Sequence, residues 1–396
     1  MMDKKTIKDI CVINPSKKLP ILPETEISFL PMEAVSTDGV INLSGKIQFS
    51  KTKSYSVFQN GDVLFAKITP CMENGKGAVV HSLLNNYGAG STEFIVLRPL
   101  PERIISKYLY YFMHQKTFRL NCQQNMTGSA GQKRVPVKYL ERYTIPVPSL
   151  PEQERIVAKI EELFSQLDAA VAELKSVKEK LAIYRQAVLK EAFEVKQSSE
   201  QQFCRIVDFA DVQTGATPLT SRADFYGGSI PWVSSGKVNE EKIYAPSDWI
   251  TELAIKETNC KIFPAHTILV AMYGEGKTRG KCAELMIAAA TNQALAAIIL
   301  KKDSCIIKEF LLLFLKYMYQ EIRRKAVGGV QPNLNLTAVK NIEIPLFDKA
   351  KQEEIVMLID EKLSICNNIE QTVDTALQQA AALRQSILKQ AFEGNL

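Results

Sequence analysis

The chain has 396 residues, 46% of them apolar and 23% charged, and a formal net charge of +6, as in an ordinary folded protein. No uninterrupted apolar run reaches membrane-spanning length, LLLFL at 311–315 being far too short, and the N-terminus lacks the apolar core of a secretory signal. The eight cysteines form no C-x-x-C pair, so we expect a reduced cytoplasmic protein with neither a zinc site nor a disulfide framework.

The positive charge is concentrated in two segments. Residues 1–150 carry 19 Lys and Arg against 11 Asp and Glu, and residues 200–345 carry 17 against 15. The stretches 151–199 and 346–396 are slightly acidic, with 8 against 9 and 5 against 8. A polyanion such as a nucleic acid would be drawn to the two basic segments. The second excess is too small for charge alone to establish such binding.

Residues 1–150 are predicted to form a mixed α/β domain. Apolar runs predict strands at 57–68 and 93–97, and a helix is expected over 104–118. A Gly/Ser loop, MTGSAGQKR at 126–134, then ends in two cations.

A long helix is predicted next, over 149–194. Ser149 and Glu152 have the spacing of a capping box, and Pro151 falls in the first helical turn. Steps of three and four residues place one apolar stripe along it: Ile160, Leu163, Leu167, Ala170, Leu174, Val177, Leu181, Tyr184 and Val188.

The second half of the chain repeats this plan. After a polar linker at 195–202, strands are predicted at 263–272 and 288–300, a helix at 308–325, and a loop, GGVQPNLN, at 328–335. The long helix then returns at a constant offset of 199 residues, so that Phe193 matches Phe392. Its stripe is Ile359, Ile369, Val373, Ala376, Ala380, Leu383 and Ile387, with looser packing expected at Lys362 and Cys366.

The repeat defines four segments: mixed α/β domain 1 (1–148), long helix 1 (149–196), mixed α/β domain 2 (197–347) and long helix 2 (348–396). Two such helices in one chain most simply pack on each other. The alternative is that each is an ordinary core helix of its own domain.

The motifs resemble those of the specificity subunits of type I restriction–modification systems. The similarity rests on PSLPEQERIV at 148–157 and AKQEEIV at 350–356, the helix endings at 185–194 and 384–393, TGATP at 214–218, GSIPWV at 228–233 and GDVL at 61–64. It implies an α+β fold, with two target-recognition domains alternating with two long helices that form an antiparallel intramolecular coiled coil with pseudo-twofold symmetry.

The resemblance also implies a function. Each recognition domain would read one half of a bipartite site in double-stranded DNA. The coil would set the spacer, and its first helix, from Pro151 to Glu194, would be about 66 Å long at about 1.5 Å per residue. The implied partners are two modification subunits, which methylate adenine with S-adenosylmethionine. The resemblance leaves open whether two ATP-dependent restriction subunits also bind. We expect this chain to be non-catalytic and to bind no cofactor, including Mg. Its sequence contains no methyltransferase motif.

Base reading needs amides and forked cations that reach groove edges. The candidates are Lys67, Lys76, Gln132, Lys133 and Arg134 in the first domain, and Ser234, Ser235, Lys237, Tyr273, Lys277, Arg279, Gln331 and Asn333 in the second. Each could equally be a solvated loop residue. The repeated pairs Arg185-Gln186 and Arg384-Gln385 are expected to bind partner subunits or to hydrogen-bond the helices to the domains.

Two other classes of function compete with DNA reading. The chain could be a coiled-coil scaffold whose domains bind proteins. The segment AMYGEGKT at 271–278 also fits a relaxed P-loop, which would make the protein a nucleotide-dependent enzyme. A P-loop requires a helix to begin at Lys277-Thr278, and the following RGKC is a poor helix start, so a Gly-rich hairpin is the better interpretation.

Overall fold

The computed structural model describes residues 3–129, 131–193, 201–273, 278–325 and 334–396. The chain divides into two compact units. The first comprises Met1–Lys175 with Asp374–Leu396, and the second comprises Ser176–Val373.

The first unit contains ten strands among its described residues. They are β1 (Lys4–Thr6), β2 (Cys11–Ile13), β3 (Glu26–Leu30), β4 (Lys46–Gln48), β5 (Ser56–Gln59), β6 (Val63–Ala66), β7 (Gly77–Val79), β8 (Tyr87–Gly90), β9 (Phe94–Pro99) and β10 (Thr144–Pro146). They form a β1–β10 ladder and two four-stranded sheets, ordered β2-β9-β6-β7 and β4-β3-β8-β5, in which only β3 and β8 pair in parallel.

The core of this unit lies on both faces of the β2-β9-β6-β7 sheet. Because side chains alternate along a strand, Leu64 and Val96 face a cluster shared with Phe58 of the other sheet. Val63 and Ile95 face the helices. Burial on both faces explains why β6 is apolar throughout, with the sequence VLFA.

The helices of the first unit cover one face of that sheet. They are α1 (Ile7–Ile10), α2 (Ser106–Met113), α3 (Lys116–Gln124), α4 (Val137–Arg142) and the first part of α5 (Leu150–Phe193). Short 3-10 turns occupy Met32–Ala34, Phe49–Lys51 and Leu84–Asn86.

The second unit repeats the same arrangement. Its described strands are β11 (Phe203–Arg205), β12 (Ala210–Thr214), β13 (Tyr226–Val233), β14 (Lys242–Ile243), β15 (Asp248–Ile250), β16 (Ile262–Phe263), β17 (Ile268–Ala271), β18 (Cys282–Leu285), β19 (Ala289–Thr291), β20 (Leu295–Leu300) and β21 (Glu343–Pro345). They form a β11–β21 ladder and two sheets, ordered β12-β20-β17-β18-β14 and β15-β13-β19-β16. The helices are α6 (Ile206–Phe209), α7 (Glu252–Glu257), α8 (Lys308–Lys325), α9 (Leu336–Lys340), the last part of α5 and the first part of α10 (Lys349–Glu393), with 3-10 turns at Ala223–Phe225 and Ser235–Glu240. The end of α10, from Asp374 on, belongs to the first unit.

The predicted strands exist but are subdivided. The run 57–68 is interrupted at Gly61, which has a φ of +89° that favours glycine, so its two ends, β5 and β6, belong to different sheets. The runs 263–272 and 288–300 divide in the same way. The helix predicted over 104–118 breaks between α2 and α3, whereas the helix over 308–325 is confirmed as α8.

The two long helices pack against each other within each unit, in opposite directions. In the second unit Arg185 pairs with Glu370 at 2.8 Å, and Glu191, farther along α5, pairs with Lys362, which lies earlier in α10. The alternative of an isolated core helix in each domain is therefore wrong, and the antiparallel coiled coil is confirmed.

Only part of the predicted seam is buried. Ile160, Leu181, Val188, Ile359, Val373 and Ile387 are at most 8% exposed. Tyr184 and Ile369 are 48% and 41% exposed, so their assignment to the seam was wrong. Leu383 is 51% exposed but lines one groove with Leu167 of α5 and Ala380, so it does lie along the seam. The prediction of looser packing at Cys366 was also wrong, since that residue is 1% exposed.

Charged contacts occupy part of the interface between the two long helices, which is why the seam is not apolar throughout. Arg185 interacts with Glu370 in the second unit. In the first unit the Arg384 guanidinium pairs with Asp168 and lies 4.2 Å from the centre of the Phe164 ring. The helices therefore meet partly through ion pairs and a cation–π contact. A pattern built on apolar residues alone does not locate such positions.

A buried glutamine joins each long helix to its domain. Gln153 and Gln352 are both 0% exposed. Gln153 accepts a hydrogen bond from the Ile105 backbone N–H at 2.9 Å and donates to two backbone carbonyls, those of Arg103 and Pro148. Gln352 repeats all three bonds with Ile307, Cys305 and Phe347. The glutamine of the repeated motif is thus a structural anchor between helix and domain.

Candidate nucleic-acid interface

In the first unit, two of the predicted reading loops lie side by side. The loop 67–76 connects β6 to β7, and its Thr69 N–H donates to the Lys133 carbonyl at 3.0 Å. The Val135 N–H donates to the Lys67 carbonyl at 2.9 Å. These backbone bonds align the Gly/Ser loop with the end of strand β6. Residues from two distant parts of the sequence therefore share one surface.

Arg134 holds this surface together through Glu93. Its Nε donates to Glu93 Oε2 at 2.9 Å, its Nη2 to Glu93 Oε1 at 2.8 Å, and its Nη1 to the Gln132 carbonyl at 3.0 Å. The bonds from Arg134 hold the pKa of the Glu93 carboxyl below its usual value. All three guanidinium nitrogens therefore have a protein acceptor. The sequence pattern singled out Arg134 but not Glu93, which immediately precedes β9.

The other first-domain candidates differ in how freely their side chains are presented. Gln132 and Lys133 are exposed. Lys67 is half-buried at the end of β6, and the Lys76 ammonium donates to the Met32 carbonyl at 2.9 Å. Gln132 and Lys133 are consequently the side chains best placed to reach a ligand from this loop pair.

The second-domain candidates lie near the ends of the equivalent sheets. Ser234 and Ser235 follow β13, and the Ser234 hydroxyl lies 2.9 Å from that of Ser247. Lys237 donates to Glu240 at 2.7 Å. Tyr273 follows β17 and is 49% exposed, and Arg279 is half-buried. Lys277, Gln331 and Asn333 lie outside the described residues.

The P-loop interpretation does not fit the geometry. The Gly280 N–H donates to the Ala271 carbonyl at 2.7 Å, and the Ala271 N–H donates to that of Lys281 at 2.9 Å. The chain then enters β18, which is antiparallel to β17. A strand thus follows the glycine-rich segment where a phosphate-binding loop requires a helix N-terminus. The segment connects a hairpin, as β6 and β7 are connected in the first unit.

The repeated Arg-Gln pairs make different contacts in the two units. Gln385 accepts from the Lys116 N–H at 2.7 Å, at the start of α3. It therefore caps the break between α2 and α3. Because α8 continues without a break at the corresponding place, Gln186 has no such N–H to accept from, and its side chain is exposed. Arg185 and Arg384 form the interhelical ion pairs described above. Binding of these four residues to partner subunits stays a prediction.

A buried carboxylate connects β18 to α8 in the second unit. The Glu284 side chain is 6% exposed and accepts from Lys308 Nζ at 2.6 Å and from His266 Nδ1 at 2.8 Å. Burial raises the pKa of Glu284, but the hydrogen bonds and charges of Lys308 and His266 outweigh it, so the pKa lies below its ordinary value.

Substitution Glu284→Gln should lower the free energy of unfolding by about 1–3 kcal/mol at pH 7, because Lys308 loses its buried counter-charge. A carboxyl whose pKa is lowered by folding stabilises the protein above its unfolded-state pKa. That contribution disappears as the pH falls through the folded-state value. Urea unfolding at pH 7 and in acid gives the free energy of unfolding of both proteins. The difference in this free energy between Glu284→Gln and the original chain should become smaller below about pH 4.5.

Glu309→Gln is the matched control for this substitution. Glu309 also pairs with Lys308, at 3.4 Å, but its side chain is 55% exposed. We expect a change below about 1 kcal/mol. A Glu284→Gln effect of the same size at both pH values would contradict the assignment of the stabilisation to the charged carboxylate.

A duplicated two-sheet α+β domain, with each copy anchored to paired long helices, defines the structural class of this protein. No described helix combines the length and apolar character needed to cross a membrane. The chain belongs to the family of the type I restriction modification DNA specificity domain, Methylase_S, whose model matches residues 1–179 and 198–379.

A curated relative agrees with this assignment. The EcoAI specificity subunit of a type I restriction enzyme from Escherichia coli is 43% identical over 166 residues, which cover 41% of this chain and 28% of that protein. The chain thus matches less than a third of that relative's length.

Two solved structures share the fold. A chain from a structural study of complex assembly in the type I R-M system has a TM-score of 0.79 and 20% identity, with 100% of this chain and 98% of that one covered. The HsdS subunit from Thermoanaerobacter tengcongensis has a TM-score of 0.61 and 20% identity, covering 100% and 97%.

Proposed function

We propose that this chain is the DNA-recognition subunit of a type I restriction–modification complex. Each recognition domain reads one half of a bipartite double-stranded site, and the long helices set the spacer. The observation that carries the proposal is the duplication, within a member of the specificity family, of one two-sheet domain with different loop residues in each copy. Two copies of a scaffold with different loops are suited to two different half-sites.

The proposed reading surface of the first domain is the pair of loops containing Lys67, Gln132 and Lys133. Lysines supply the sequence-independent attraction to phosphates, and an exposed amide such as Gln132 can bond an adenine edge. The net positive charge of residues 1–150 supports this placement. The hairpin after β17 serves the second domain in the same way.

Catalysis belongs to other subunits in this proposal. The chain acts as a non-catalytic adaptor for two modification subunits, which bring S-adenosylmethionine, and in DNA-cleaving complexes for restriction subunits, which bring ATP and Mg. Exposed apolar side chains on the long helices support docking of the modification subunits. In the second unit these include Ile183, Tyr184, Met357, Leu358 and Ile365, each at least 48% exposed.

Adenine methylation should be mapped across the genome of the source organism with and without this gene. We expect one asymmetric bipartite motif to lose methylation when the gene is absent and to regain it on complementation. Exchange of residues 1–148 for the corresponding domain of a different specificity subunit should alter one half of the motif only. The proposal would be contradicted if the methylation map stayed unchanged although the chain, purified from the same cells, carried an active methyltransferase with it.

Binding of the purified complex to DNA should also weaken steeply with salt. Each phosphate contact contributes a slope of about −0.9 in a plot of log affinity against log salt concentration. A protein-binding scaffold would show neither this slope nor a preference for the methylated motif. The same titration with a scrambled sequence of equal length measures the sequence-independent part.

A further inference from the structure

A short turn of the second unit carries an exposed glutamine that is not among the predicted reading residues. Residues 292–294 connect β19, in one sheet, to β20, in the other. The Leu295 N–H donates to the Asn292 carbonyl at 3.3 Å and closes the turn, and the Gln293 side chain is exposed. Because a side-chain amide can donate and accept hydrogen bonds at once, Gln293 has the chemistry of a base-reading residue.

The turn lies at the end of the sheet where the hairpin after β17 begins. The Met272 N–H, one residue beyond β17, donates to the Ala294 carbonyl at 2.8 Å. In the first unit the Lys67 N–H donates in the same way to the Glu93 carbonyl at 2.9 Å, at the turn between β8 and β9. The turn therefore borders the proposed reading surface in both units.

A threonine holds the Gln293 side chain in one orientation. The Thr217 hydroxyl donates to Gln293 Oε1 at 2.6 Å. Within the described part of the chain, Gln293 Nε2 has no hydrogen-bond partner. The Thr217 bond fixes the plane of the amide and leaves both N–H groups of Nε2, and the second lone pair of Oε1, for a ligand.

The segment TGATP at 214–218 is fastened to this turn through its first two residues. The Thr214 hydroxyl donates to the Gln293 carbonyl at 3.1 Å. A Cβ at Gly215 would overlap the Thr291 carbonyl oxygen, so the close approach of the two backbones requires glycine. The motif that was recognised in the sequence thus has a structural role, which is to place its threonines beside Gln293.

Strand β13 holds the rest of the segment. The Ala216 carbonyl accepts from Trp232 Nε1 at 3.1 Å, and the Pro218 carbonyl accepts from the Tyr226 hydroxyl at 2.7 Å. Thr217 lies between these two carbonyls and is fixed from both sides. An amide that is oriented before binding loses less conformational entropy when it meets a ligand.

We propose that Gln293, oriented by Thr217, reads one adenine in the half-site recognised by the second domain. Gln293 Nε2 donates to adenine N7, and Oε1 accepts from the adenine N6 amino group in the major groove. Thr217 is a positioning residue and touches no base. The proposal rests on the DNA-recognition function proposed above and names one base-reading residue within it.

The experiment uses the full-length chain in complex with its modification subunits. Exchange of residues 1–148 first shows which half-site belongs to the first domain. Each adenine of the other half is then replaced in turn by 7-deazaadenine, which lacks the N7 acceptor, and equilibrium binding is measured. We expect one replacement to weaken binding of the original complex by about tenfold. The Gln293→Ala complex should bind this duplex and the unmodified one equally.

Variants of Thr217 test the positioning role. Thr217→Val loses the hydroxyl and should weaken binding to the unmodified site by about threefold, with a smaller effect of 7-deazaadenine. Thr217→Ser keeps the hydroxyl and should restore the original values. Thr220→Val and Gln202→Ala are the matched controls, because both side chains are exposed in the same unit, and neither should alter the response to 7-deazaadenine.

Equal affinity of the original complex for every 7-deazaadenine duplex would overturn the proposal. So would a tenfold loss that persists in the Gln293→Ala complex, since another residue would then contact N7. In either case a preference of the original complex for the bipartite site over a scrambled duplex would leave the DNA-recognition function standing. Absence of that preference would overturn both proposals.

Discussion

Replacing Gln352 by leucine should destabilise the second unit by about 3–6 kcal/mol, because three backbone groups that bond its buried side chain lose their hydrogen-bond partner at once. The Ile307 N–H and the carbonyls of Cys305 and Phe347 all bond this one amide, and leucine can satisfy none of them. Domains are typically stable by only about 5–15 kcal/mol, so a loss of this size leaves the unit marginal at 25 °C.

Gln153→Leu should have the same effect on the first unit. Hydrogen–deuterium exchange would locate each loss, since Gln153→Leu should expose the amide of Ile105 and Gln352→Leu that of Ile307. Urea unfolding gives the size of each effect. The paired experiment tests whether the motif glutamines are equivalent anchors.

Gln378→Leu on α10 is the matched control, because Gln378 is exposed. We expect a change within about 0.5 kcal/mol. Equal stability of the Gln352→Leu and Gln378→Leu proteins would show that the buried bonds contribute nothing measurable. If backbone amides of both units exchanged faster in either the Gln153→Leu or the Gln352→Leu protein, each glutamine would not act on its own domain alone.

The duplicated arrangement of domain and long helix could be predicted because the amino-acid sequence of the long helix is itself repeated. Phe193 and Phe392 occupy the same place in the repeat, and each packs against at least two aromatic rings of a domain helix. Phe392 contacts Tyr108 and Phe112, with ring centres 5.0 and 5.2 Å apart, and Phe193 contacts Phe310 and Phe314, both at 5.3 Å. An unchanged residue at a constant offset is enough to indicate an equivalent role.

Interactions between distant residues could not be predicted in this way. Glu93 and Arg134 are 41 residues apart, and nothing in either neighbourhood identifies the other as its partner. Gln385 caps α3 only because the first domain's helix breaks near His114, which its apolar pattern does not reveal. The seam was predicted only in part for a related reason, since ion pairs take the place of apolar contacts along some of it.

Substitution Glu93→Gln should weaken specific DNA binding by about tenfold, even though it removes a negative charge from a surface proposed to meet phosphates. The reason is that Glu93 accepts two bonds from Arg134 and thereby fixes the loop that presents Gln132 and Lys133. Without them the loop has more conformations to lose on binding. Arg134→Ala should give the same loss.

A double-mutant cycle separates this positioning role from direct contact with DNA. If Arg134 acts through Glu93, the double variant should bind no more weakly than either single one, because both remove the same interaction. If Arg134 reads a base itself, Glu93→Gln should leave affinity unchanged or raise it, while Arg134→Ala alone lowers it. Equilibrium binding of the complex to its bipartite site and to a site altered in one half provides the measurement.

Glu102→Gln controls for the charge change, since Glu102 is an exposed glutamate of the same unit. Removal of its charge should raise affinity slightly for all DNA sequences alike, through the phosphates. Loss of affinity in Glu93→Gln therefore cannot arise from electrostatics, which act in the opposite direction. A loss restricted to the half-site read by the first domain would assign that half to the loops joined by Arg134 and Glu93.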